Sequence, residues 1–441
     1  MPTSPATAPQ AQWQAAVLKY ASAINQYVQD GQQHGWDGLK ESETPEIEHL
    51  LPAWRAALEA RNRQPADAAQ HQAFRQEWPP AHQPLASLLD KEGQMIPALA
   101  LLDDGSLLAR IGSAYEGGQV VRIDGERVEP VTQGDFFGHC PQRRFFAWSS
   151  ASGIRVTDGW NGPQVSEFPW PTGREGLPEG VPVDEEDGDP LPSALIPFPD
   201  GQRVLLVSGD GIFVLHAEGA TRLLRRPQDI AQDLADGVDP DDLAIGLCMA
   251  HGAISPDGQW IAVGDQCSHH LVFNAELALA AQIGPVGEYP HFALFNQQGD
   301  QLILNACHFY NGSTLGVAVA DLPGLSTDFY SDDPRTPVLQ DGARVYAGTS
   351  RGDEFIVGDA YGYLRAFSST GEERWQHYVG SSFSAMDISA DGRTLAVSTY
   401  AGIISLIRLE DGRPDWQIGT GEHREERRWL FWKSFAKPLA W

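Results

Sequence analysis

The first eighty or so residues carry apolar positions at helical spacing. In "AQWQAAVLKYASAINQYVQD", Trp13, Val17, Tyr20, Ile24, Tyr27 and Val28 recur every three or four residues and share one face. A second stripe, Ile47, Leu50, Leu51, Trp54 and Leu58 in "ETPEIEHLLPAWRAALEAR", predicts another helix. Thr44 can cap it, Pro45 suits its first turn, and Pro52 is expected to kink or delay it. Such short stripes cannot build a core alone, so they are expected to pack on the rest of the chain; a partner-binding role is the other reading. From about residue 95 the texture changes to short apolar runs separated by Gly, Asp, Pro and Asn, which predicts strands joined by tight turns.

One phrase recurs in this second part: an apolar run, a turn ending in Asp-Gly or a variant, a second apolar run, and another turn. It reads "ALALLDDGSLLARIG", "ALIPFPDGQRVLLVSGDG", "HGAISPDGQWIAVGDQ", "FALFNQQGDQLILNAC" and "AMDISADGRTLAVSTYAG". "GHCPQRRFFAWSSASG" fits with the Asp-Gly lost, and "RVYAGTSRGDEFIVGDAYG" fits with a displaced glycine. The copies then number seven, roughly 40 to 60 residues apart, the period of propeller blades. Each continues into a third run and usually a fourth, as in "GYLRAFSSTGEERWQHYVG" and "IISLIRLEDGRPDWQIG". Four short strands repeated radially bury both sheet faces against neighbouring blades and leave only short edges. The expectation is an all-β fold, a seven-bladed β-propeller of four-stranded blades, with an α-helical N-terminal extension.

The later copies also resemble repeats of known propellers. "ISPDGQWIAVGDQ" and "ISADGRTLAVSTYAG" resemble the inner two strands of WD40-type and YVTN-type blades. "YLRAFSSTGEERW" and "SLIRLEDGRPDW" resemble the quinoprotein-type repeat, with a turn followed by Trp375 and Trp416. The resemblance covers about residues 95 to 420 and is clearest in copies four to seven. No copy has the Trp-Asp dipeptide or Gly-His pair of true WD40 repeats, so the resemblance implies the fold and no functional residue. Propellers host enzymes and scaffolds alike.

Composition narrows the setting. Hydrophobic residues at 42% and charged residues at 20% allow a sizeable core. No apolar run approaches the ~18 residues of a membrane span, and "MPTSPATAPQ" lacks the basic start and apolar run of a secretory signal. A cytoplasmic protein is expected. Its formal net charge of −28, from 59 acidic and 31 basic side chains, repels nucleic acid and anionic membranes and favours fast encounter with a basic protein. The one visibly basic-aromatic segment is "GEHREERRWLFWKSFAKPLAW". There Trp429, Phe431, Trp432, Phe435 and Trp441 stand among Arg427, Arg428, Lys433 and Lys437, and docking would shield rings that are a hazard when exposed. The expected division is a helical region over 1–84, the propeller over 85–420 and a tail over 421–441.

Two insertions break the period. Residues 171–192 are rich in Pro, Gly and acid and read as an exposed loop, without the Asp-x-Asp-x-Asp-Gly spacing of a calcium site. Residues 225–246 read as a short helix with Ile230, Leu234 and Val238 four apart, or as cover for an exposed edge.

The candidate chemistry is a set of cysteines with histidines beside them: "GHC" ending at Cys140, "CMAH" from Cys248 to His251, "CSHH" from Cys267 to His270, and "ACH" ending at His308. His291 in "YPHFALF" adds another. In the blade that the resemblance implies, His251 and His291 occupy equivalent places on the inner strands of blades four and five. Cys267, His269, His270, Cys307 and His308 follow the ends of second strands, so most of the cluster shares one face of two adjacent blades. Thiolate and imidazole are preferred zinc ligands, which makes Cys248, Cys267, Cys307, His251 and His291 candidates for zinc or another soft metal. The spacings match no established zinc pattern. A Cys-His nucleophilic pair needs a thiolate within reach of a base. Buried thiols and channel histidines that only hydrogen-bond explain the same residues. Asn311-Gly312 in "HFYNGST" predicts a two-residue strand turn, beside which Phe309 and Tyr310 either pack under the next loop or offer an aromatic contact. The sequence has no GxxxxGK[ST] loop, GxSxG elbow or HExxH helix.

Three functions follow. The leading one is a non-enzymatic protein-binding propeller whose face carries His251, His269, His270, His291, His308, Phe309 and Tyr310, in one version an acidic, immunity-type neutraliser of a basic effector such as a toxin. The second is a metal-binding or Cys/His-dependent enzyme at the rim of blades four and five. The third is a scaffold subunit that docks through its helical region.

Overall fold

The computed structural model describes residues 7–81, 86–113, 117–183 and 192–441. Seven antiparallel sheets follow one another along the chain, over residues 98–130, 136–168, 194–224, 251–283, 289–341, 345–378 and 383–440. The first strand of each touches the first strand of the next, and that of the seventh meets that of the first, so the ring closes. The fold is a seven-bladed β-propeller. Each of the seven repeated phrases supplies the first two strands of one blade. Strands of four to eight residues suffice because neighbouring blades bury both faces of each sheet, as the fully buried Val204–Ser208 and Thr394–Thr399 illustrate. Two blades exceed four strands. Ser326–Thr327 adds a parallel fifth to blade four, and Leu439–Ala440 adds a fifth to blade seven.

Blade seven departs from the expected boundary at residue 420. Its fourth strand is Arg424–Leu430, paired along Ile403–Arg408, so the segment read as a tail completes the last sheet. Trp416, read as part of that fourth run, lies in the connection before it. The basic residues misled because this strand buries an ion pair: Arg428 Nε and Glu425 Oε1 stand 2.7 Å apart, both almost fully enclosed, with Ser405 donating to the same oxygen.

Among the described residues, four α-helices precede the ring: α1 (Ala8–His34), α2 (Leu51–Arg61), α3 (Ala68–Glu77) and α4 (Ala86–Glu92). Pro52 falls in the first turn of α2 and delays that helix beyond the Thr44-Pro45 start. Asp67 and Gln70 cap α3 reciprocally. The expected boundary at 84 falls outside the described residues. The helices share one core with blades six and seven: Trp13 stacks on Trp54 at 5.9 Å, and Trp54 packs on Trp441 at 4.9 Å and Trp432 at 6.0 Å. Arg75 of α3, buried, donates to the Trp441 carbonyl at 2.8 Å. No helix among the described residues is long and apolar enough to cross a membrane.

The ring has two faces. One carries the turns between first and second strands, where the Asp-Gly dipeptides lie. There the turn of blade two, which lost its Asp-Gly, spans the ring: Gln142 donates to the Pro256 carbonyl of blade four, and Arg143 reaches Ile388 O and Asp387 Oδ1 of blade seven. Asp387 also accepts from Leu101 N of blade one at 2.7 Å, so one carboxylate joins three blades. The other face carries the turns between second and third strands.

In the second insertion, helix α5 (Pro227–Ala235) buries Ile230 against Val181, Leu243 and Ile245. The acidic centre of the first insertion, residues 184–191, lies outside the described residues.

Candidate functional site

The face opposite the Asp-Gly turns gathers most of the expected residues. His251 opens the inner strand of blade four, and His270 opens its third strand. Their rings meet, with His251 Nε2 and His270 Nδ1 3.4 Å apart. Burial holds His251 down to about 4 and His270 well below its usual value, so both are neutral near pH 7. His291 stands edge-on to Tyr346 at 4.9 Å, and burial, with Arg344 nearby, lowers it to about 3. His269 packs against Phe329 at 4.8 Å, and His308 pairs with Glu288 at 2.7 Å and touches Phe309.

The cysteines differ in their surroundings. Cys307 and Cys140 are buried, whereas Cys248 and Cys267 are exposed. Among the described residues no three His, Cys, Asp or Glu side chains are grouped so as to hold a metal ion. Burial pushes the Cys307 thiol up, the reverse of what an activated nucleophile needs.

The turn at "HFYNG" differs from the expected one. His308 pairs with Asn311 and Cys307 with Gly312, so the two loop residues are Phe309 and Tyr310. Gly312 serves close packing instead: a Cβ there would press on Ala306 O and lie 2.9 Å from Ala343 O. Phe309 therefore takes the left-handed conformation, φ 52°, which is strained for a bulky residue. The residue is 73% exposed. Met249 and Tyr330, on the same face, are also left-handed at φ 56° and 57°.

Seven of the eleven exposed large hydrophobic residues described are aromatics on this face, from blades four to seven: Tyr289, Phe309, Tyr310, Phe329, Tyr330, Tyr361 and Tyr400. Tyr310 and Tyr361 lie 5.8 Å apart, and the half-buried Tyr346 links His291 to Tyr400 at 5.4 Å. Arg344 lies over Tyr346 at 4.7 Å and donates to Phe309 O at 3.3 Å. Exposed carboxylates flank the rings: Glu288 beside Tyr289, Asp328 beside Phe329, and Asp332 after Tyr330. Most of this arc escaped the reading of the sequence. The signal was present, since "HFYNG", "DAYG" and "STYAG" each put a tyrosine in the turn after a second strand, in three successive blades. A cavity of about 540 Å³ lies elsewhere, between blades three and four at the start of α5, lined by Arg222, Phe273 and Leu279 among others.

No family model and no curated protein matches the chain. Solved structures that it resembles include "KlHsv2 with loop 6CD replaced by a Gly-Ser linker", at 8% identity and a TM-score of 0.43. Hsv2 of Kluyvelomyces marxianus is similar at 8% identity and a TM-score of 0.44. In each case the match covers 76% of this chain and 99% of the other. At this identity and score the likeness carries no argument about function.

Proposed function

We propose that the chain is a non-enzymatic binding propeller of the WD40-like and quinoprotein-like kind, whose aromatic face on blades four to seven takes a protein partner. The carrying observation is the concentration of exposed rings there, two of them on strained turns. Exposed apolar patches mark interaction sites, and aromatic residues dominate interface energies. The partner is a basic protein. A net charge of −28 and the carboxylates between the rings steer such a partner to this face. An immunity-type neutraliser of a basic effector in the cytoplasm fits this description.

The test pairs the protein with the partner it captures from its native host. Replacing Phe309 and Tyr361 by alanine is expected to weaken that complex by about 2 kcal/mol or more, because both rings are exposed and leave the fold intact. Association is expected to slow roughly tenfold between low and moderate salt. A complex indifferent to both changes removes the face from the reading, and insensitivity to salt alone removes the basic partner.

A further inference from the structure

We infer that the groups recognised on this face are guanidinium groups, so that the partner lays arginine side chains flat on the exposed rings. This rests on the binding reading above and specifies its chemistry. The chain's own Arg344 supplies the template. Its guanidinium lies over Tyr346 at 4.7 Å while Nη1 donates to Phe309 O at 3.3 Å, a ring below and a carbonyl at the edge. Phe309, Tyr310, Phe329, Tyr330 and Tyr361 offer the same ring faces with no cation of the chain over them among the described contacts, and all are exposed.

Two features separate arginine from lysine. Seven exposed rings stand among fewer neighbouring exposed carboxylates, which include Glu288, Asp328, Asp332 and Asp341. A surface richer in rings than in carboxylates repays a planar, weakly hydrated cation that stacks, and serves a compact, strongly hydrated ammonium less well. Exposed carboxylates nonetheless lie next to the rings in the chain, Asp328 before Phe329 and Asp332 after Tyr330, while Glu288 before Tyr289 is engaged by His308 at 2.7 Å. Among the basic groups nearby, Arg335 is held by Asp333 at 2.6 Å, His308 pairs with Glu288, and His251 and His291 are kept neutral by burial, while the guanidinium of Arg344 is turned onto Tyr346 and Phe309 O. The strained backbone at Phe309 and Tyr330 holds two of the rings outward in advance, so little ordering is left for the moment of binding.

The experiment uses the full chain and two capped synthetic peptides of equal length, one alternating arginine with glycine and one alternating lysine with glycine, measured by fluorescence anisotropy. The arginine peptide is expected to bind about tenfold tighter than the lysine peptide. The double variant Tyr310→Ala, Tyr361→Ala is expected to lose roughly tenfold, and Tyr310→Phe, Tyr361→Phe, which keeps the rings, less than about threefold. Equal affinity for the two peptides overturns the guanidinium inference and leaves a basic partner standing. Equal losses in the alanine and phenylalanine variants overturn stacking as its basis. Binding of neither peptide overturns the inference, and failure of the host complex in the preceding test separately overturns the binding reading.

Discussion

At the scale of single residues, Phe309 concentrates the tension between stability and use. A left-handed conformation costs a non-glycine residue about 1–2 kcal/mol, and its exposed ring recovers little by burial. Phe309→Asn, which tolerates that conformation, is expected to raise the unfolding free energy read from urea titration by about 1 kcal/mol while weakening partner binding. The Asn-Gly dipeptide beside it was visible in the sequence, but its glycine answers to the packing of Ala306 and Ala343 across the strands, a demand that no local pattern records. The histidines set a second residue-level expectation. Burial lowers His251 and His423 to about 4, and His291 and His377 to about 3, whereas in the unfolded chain such rings titrate near ~6.5. Because the folded values lie below the unfolded one, the unfolded chain binds protons first as pH falls. The contribution of each ring is intact above about pH 6.5 and shrinks by about 1.4 kcal/mol per pH unit below it, until its folded value is reached. Denaturant midpoints are expected to fall steeply from pH 6.5 to 5, and His377→Phe to flatten that slope by about one proton.

At the scale of elements, the seam between blades one and seven is held by polar contacts. Ser384 and Ser398 donate to Ile96 O at 2.7 and 2.8 Å, and Asp387 gathers Leu101 N and Arg143. Asp387→Ala strands a buried amide and a half-buried guanidinium and is expected to cost about 3 kcal/mol in chemical denaturation. Arg143→Met leaves the amide bonds in place and is expected to cost about 1 kcal/mol. The Asp-Gly turns made the first two strands of most blades legible, since that dipeptide leaves the chain few alternatives. The fourth strand of blade seven was not legible. The connection from Leu409 to His423 separates it from its sheet, and its buried Arg428 and Glu425 read as surface charge until their pairing is seen. The turn of blade two is a similar case: its copy fits the repeat with the Asp-Gly lost, and that turn crosses to blades four and seven.

At the scale of the whole molecule, the helical region and the propeller are one body of packing. Trp13, Trp54 and Trp78 from the helical side meet Trp432 and Trp441 from the last blade. A chain lacking residues 1–81 is expected to lose cooperative unfolding and to aggregate, as read by thermal melting and size-exclusion chromatography, because several large apolar surfaces would stand open together. The apolar stripes made the helices legible and the need for an outside partner evident; which surface they meet depends on ring closure, which no local segment encodes. That closure also has a consequence in time. Arg75 and the carbonyl that it binds are 366 positions apart in the chain. At ribosomal speeds of ~5–20 residues per second, the tryptophan faces of the first helices wait roughly 20–70 s for their partners to be synthesised. Throughout that interval the nascent chain presents an uncovered aromatic surface, which makes it a natural client for a chaperone that works at the ribosome.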